Sequence, residues 1–146
     1  AAVAGSALAG AAKIIAVDID DRKLEWARNM GATHTVNSKD ADPVQAIKDL
    51  TDGFGADYTF EATGNVKVMR QAVEAARMGW GQCTVAGVAG KGETLDIVPR
   101  FLITGRRVAG SSFGGVKGRE GVPALVGCQG VVRVAEDARG ATPEYR

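Results

Sequence analysis

Short apolar runs alternate along this chain with amphipathic stretches, separated by loops of about 2–6 residues. KIIAVD (13–18) is apolar and partly β-branched, the composition of a strand covered on both faces. DRKLEWARNMG (21–31) reads as a helix with acids at its start, Leu24, Ala27 and Met30 on one face and Gly31 as its stop. HTVN (34–37) is a second strand. DPVQAIKDLTD (42–52) is a helix with Asp42 as N-cap and Pro43 at its first position. ADYTFEAT (56–63) is a strand. NVKVMRQAVEAARMG (65–79) is a helix capped by Asn65 and closed by Gly79, with Val66, Met69, Ala72, Val73 and Ala76 inward. QCTVAGV (82–88) and ETLDIV (93–98) read as strands, PRFLITG (99–105) as a short helix and 107–115 as a last strand. Such an alternation specifies an α/β fold with a doubly wound parallel sheet. Ligands of these sheets sit beyond the carboxyl ends of the strands. The positions to inspect are therefore Asp18–Asp20, Thr63–Asn65, Ala86–Val88 and Ser111–Phe113.

Composition removes several classes of function. The net charge is +1, which offers nothing to nucleic acid or an anionic membrane. No apolar run reaches the ~18 residues of a membrane span. Residues 1–12 are apolar, but no basic segment precedes them, so they do not read as a signal peptide. Cys83 and Cys128 lie far apart, without a CxxC or a Cys/His cluster. This argues against a zinc site or a disulfide scaffold and for a reducing, cytoplasmic setting.

Asp18 is the most informative single residue. In a dinucleotide-binding fold the second strand ends in an acid whose carboxylate accepts hydrogen bonds from the adenosine ribose. The same charge repels a 2′-phosphate, by about 4 kcal/mol at ~4 Å and an effective dielectric of 20. Asp18 thus favours NAD over NADP. The competing reading is that Asp18 only caps the helix at 21. A GxGxxG turn should precede such an acid by about 20 residues. Gly5 and Gly10 have the wrong spacing. Residues 1–10 read instead as the body of the helix after that turn, with the first strand and glycine turn left off. The expected fold is an incomplete Rossmann-type sheet. In the order 3-2-1-4-5-6 the absent strand belongs between 13–18 and 56–61.

The blocks AAKIIAVDIDDRKLEWARNMGATHTVN, FGADYTFEATGNVKVMRQAVEAARMGWGQCTVAGVAG and LITGRRVAGSSFGGVKGREGVPALV carry a specific likeness. Over residues 1–126, with EATGN, GWGQ, GVAG and TGRRVAGSSFGG in order, the chain resembles the cofactor-binding domain of zinc-dependent medium-chain alcohol dehydrogenases. It is most similar to the class III type, which oxidises S-hydroxymethyl adducts of glutathione or mycothiol. The resemblance implies that Asp18 binds the adenosine ribose with Lys23 beside it. It implies that Ile19 and Thr63 flank the adenine, and that Ala86, Val88, Ser111 and Phe113 line the nicotinamide pocket. Ile19 and Val88 also fit plain core positions, and Lys23 a solvated helix charge.

In that family the catalytic and structural zincs and the proton relay belong to a separate domain, so no residue of this chain is expected to be catalytic. The alcohol or thiol adduct would reach it only through that domain. His34 reads as a surface or half-buried histidine, and Glu61 and Asp57 as strand-end and loop polar groups. The resemblance further implies a homodimer formed through 107–113. The tail, 127–146, lacks periodicity and departs from the family, as a shifted reading frame or an unrelated end would. The leading expectation is a fragment of an NAD-dependent zinc alcohol dehydrogenase. The alternative is a non-catalytic nucleotide-binding or oligomerisation module. A methyltransferase-like Rossmann enzyme is disfavoured by TGRRVAGSSFGG.

Overall fold

The structure is a computed structural model and describes residues 1–127. The tail read over 127–146 lies, from residue 128 onward, outside the described residues. Among the described residues five short parallel strands and six α-helices follow in order: α1 (Ala2–Leu8), β1 (Ile15–Asp18), α2 (Asp21–Asn29), β2 (His34–Asn37), α3 (Pro43–Leu50), β3 (Tyr58–Glu61), α4 (Val66–Ala75), β4 (Gln82–Val85), α5 (Pro99–Ile103), β5 (Arg107–Gly110) and α6 (Gly118–Gly127), with a 3-10 turn at Phe113–Gly115. The strands form two sheets, β1-β2 and β3-β4-β5, and every pairing is parallel. These are the neighbour relations expected on either side of the first strand of a Rossmann-type sheet.

The chain divides into two compact units. One comprises Ala1–Asn37 with the segment from Val116, the other Ser38–Gly115. In the first, β1 pairs with β2 from Ile15↔His34 to Asp18↔Asn37. α2 packs on both strands and buries Leu24 with Ile14, Ala16 and Val36. In the second, α4 packs on β3 and β4, and α3 packs on α4. Its core holds Val44, Met69, Val73, Ala75, Ala76 and Cys83.

The local signals act as expected at three helix starts. Asp20, Asp42 and Asn65 accept from the backbone amides of Arg22, Val44 and Lys67, satisfying donors that each helix leaves unpaired. Several boundaries differ from the sequence reading. The strands read over 13–18, 56–63, 82–88 and 107–115 contract to four residues each. The helix read to Gly79 stops at Ala75, because tertiary partners take over the backbone there. Ala75 O accepts from Ala56 N, Arg77 N donates to Ala56 O, and Arg106 Nε donates to Ala76 O. Segment 93–98 is not a strand: it pairs with no ladder and leads into α5, which opens on Pro99. Cover on both faces was expected for the strands, but β3 buries only Thr59 and Glu61 and exposes Tyr58 and Phe60. α6 was not read from the residues. It contains Gly118, Gly121 and Pro123, all poor helix formers.

Candidate functional site

The candidate residues fall into two sets, one in each unit, and both lie at carboxyl ends of strands. In the first set, Asp18 closes β1 and folds its carboxylate back over the turn. Its Oδ1 accepts from Ile19 N at 2.7 Å and Asp20 N at 3.0 Å. Its Oδ2 stands 3.9 Å from Lys23 Nζ, so these two candidates are brought together. The cap of α2 is Asp20, not Asp18. Asp20 Oδ1 accepts from Arg22 N, while the Arg22 guanidinium grips both carboxylate oxygens and holds that carboxyl below its usual range. Asp20 is thus the N-cap of α2, and Asp18 bonds the turn that leads into it. Ile19 is 58% exposed, so it is not a core residue either.

The second set is built around the ends of β3, β4 and β5. Thr63 donates from both its amide and its hydroxyl to Glu61 Oε1, and its hydroxyl accepts from Asn65 N. Ala86 N and Gly87 N donate to the main-chain oxygen of Glu61 at 2.7 and 3.1 Å. Ser111 N donates to Val85 O at 2.8 Å, tying the end of β5 to β4. Val88 and Phe113 are 91% and 92% exposed, so Val88 is not a core residue. Phe113 has φ +50°, in the left-handed region that bulky residues rarely enter. Large apolar side chains held out at strand ends are what a planar ligand packs against.

Sequence reasoning missed the weight of Glu61. The sequence reads it as a strand-end polar group, yet it is 1% exposed and gathers five donors. The signal was the string EATG, in which an acid precedes a hydroxyl by two residues and a glycine by three. Asp57 pairs with Arg77 at 2.8 Å, and the half-buried His34 lies 2.9 Å from Thr33 Oγ1 through Nδ1.

Among the described residues no three His, Cys, Asp or Glu side chains gather in one place. No helix among them is long and apolar enough to cross a membrane.

The sequence pattern of the zinc-binding dehydrogenases matches residues 1–128. The chain belongs to that family. It is 47% identical over 127 residues to an S-(hydroxymethyl)glutathione dehydrogenase of Synechocystis sp., covering 86% of this chain and 34% of that protein. The chain thus spans about a third of the length of the curated relatives it matches. Benzyl alcohol dehydrogenase from Acinetobacter calcoaceticus superposes with a TM-score of 0.86 at 35% identity, over 92% of this chain and 38% of that one. A zinc-binding dehydrogenase from Sinorhizobium meliloti 1021, solved bound to NADP, superposes at 0.78 and 29% identity, over 88% and 38%. The likeness places the described strands in a Rossmann-type domain.

Proposed function

We propose that this chain is the NAD-binding portion of a zinc-dependent alcohol dehydrogenase that oxidises S-hydroxymethyl thiol adducts or primary alcohols. The observation that carries the proposal is the carboxylate of Asp18. It closes the strand after which a ribose is bound in this fold, and the capping of α2 is done by Asp20 instead. Lys23 at 3.9 Å would steady that carboxylate and approach the same ribose. Ile19 and Thr63 would flank the adenine. Ala86, Val88, Ser111 and Phe113 would form the nicotinamide side, where main-chain groups fix one face of the ring. The bound nicotinamide supplies the hydride acceptor; the residues described here bind and orient it. The same portion would associate as a homodimer through the open edge of β5, and the free thiol of Cys83 supports a cytoplasmic setting.

The Sinorhizobium relative was solved with NADP, so the preference for NAD rests on Asp18 and needs its own test. Calorimetric titration of the chain with NAD and with NADP should show tighter binding of NAD. Asp18→Ser should weaken NAD and narrow the difference, since it removes both the ribose acceptor and the like-charge repulsion. An unchanged preference in the variant would overturn the assignment.

A further inference from the structure

Glu61 is among the largest fully buried side chains of the described residues, and it faces both loops of the second set. Its Oε1 accepts from Thr63 N at 2.6 Å, Thr63 Oγ1 at 2.5 Å and Gly64 N at 2.9 Å. Its main-chain oxygen accepts from Ala86 N and Gly87 N. Side chain and backbone of one residue thus collect donors from two separate loops. Oε2 is buried without a hydrogen-bond partner and lies against Gly87, where an added Cβ would stand 2.6 Å from it. A buried carboxylate oxygen left unpaired is costly, and its retention asks for a reason. The loops also touch directly. Gly64, at φ +80°, leaves no room for a side chain beside the Val88 carbonyl, and Gly87 none beside Gly64 N.

We propose that Glu61 is a positioning residue that locks the Thr63–Asn65 loop to the Ala86–Val88 loop. This rests on the function proposed above, which puts these loops at the adenine and nicotinamide ends of one dinucleotide. Oε1 holds the first loop, the main-chain oxygen holds the second, and Oε2 sets their spacing at Gly87. A ligand group that orders Thr63 then orders Ala86–Val88 as well. The nicotinamide end is met by a loop already in place, which lowers the ordering cost of binding, and the effect is reciprocal.

The competing role is a local loop cap, for which the shorter Asp would serve, since Asp side chains bond the backbone two residues on. Glu61→Asp keeps the charge and that cap but withdraws from Gly87. Glu61→Gln keeps the length and Oε1. Amide exchange of the nucleotide-free chain should therefore speed up about ten-fold at Ala86–Val88 in Glu61→Asp, the loss of roughly one buried contact. The ratio of NAD to ADP-ribose affinity should fall in the same variant. Glu61→Gln should restore both. Exchange at Val73 and Cys83 serves as the reference for the core. Unchanged exchange at Ala86–Val88 in Glu61→Asp overturns the lock. An equal acceleration at Val73 and Cys83 also overturns it, by making Glu61 a residue of general stability. If the unsubstituted chain binds neither nucleotide, the proposed function fails, while the exchange measurement still decides the lock.

Discussion

Asp18 and Glu61 are both acids at strand ends, and their surroundings give them different work. Asp18 stays partly exposed with an oxygen toward Lys23, while Glu61 is buried beneath its own loop. Cys83 shows what burial does to a reactive group. It is fully buried on β4, and desolvation pushes its thiol above the usual range. Iodoacetamide should leave Cys83 unmodified in the native chain and label it in urea, as read by peptide mass spectrometry; rapid native labelling would contradict this. The burial has a pH consequence. Because the native thiol ionises later, the unfolded chain sheds its proton first as pH rises past the ordinary thiol range. Native stability then falls with pH, and Cys83→Ala should remove that part of the slope in alkaline denaturant melts. At the start of α4, Asn65→Ala removes the acceptor of Lys67 N. The expected cost is about 1 kcal/mol in urea unfolding.

Among the elements, β5 has the most specific consequence. Among the described residues it is the outer strand of its sheet, paired with β4. Arg107 N donates to Gly81 O and Ser111 N to Val85 O. Amides alternate in direction along a strand, so the Val108 amide lies on the open side. Val108→Pro removes a donor from that side and spares the ladder to β4. If a second copy pairs there in a closed two-fold dimer, the variant should sediment as a smaller species than the unsubstituted chain. Identical sedimentation of both proteins would place any self-association elsewhere.

At the scale of the molecule, the two units differ in the depth of their cores. In the unit Ser38–Gly115, Val73 and Cys83 are completely shielded, with Ala75 and Ala76 nearly so. In the other, Ala4, Ile14, Ala16, Leu24 and Val36 each keep some contact with solvent, and its sheet has two strands. Two-stranded sheets are marginal by themselves. Amide exchange should therefore be slower at Thr84 and Val85 than at Ala16 and Val17 in the same native sample. Equal protection of both sheets would show that the chain opens as one cooperative body.

What could be read in the residues was what local chemistry determines. The helix starts at Asp20, Asp42 and Asn65 were legible because a capping side chain acts within three residues. The parallel α/β class was legible because the alternation of periods admits few other folds. The strand-end positions were legible because the alternation places loops there, and the two loops that donate to Glu61 were among those named. Tertiary structure alone decided where strands and helices stop. The helix read to Gly79 ended at Ala75 because Ala56 and Arg106, distant in sequence, captured its backbone. Segment 93–98 had the composition of a strand, but a strand exists only where a neighbour accepts its hydrogen bonds. The same holds for Glu61: its residue type was plain, but its burial and the donors from Ala86 and Gly87 arise only when β3 and β4 lie side by side.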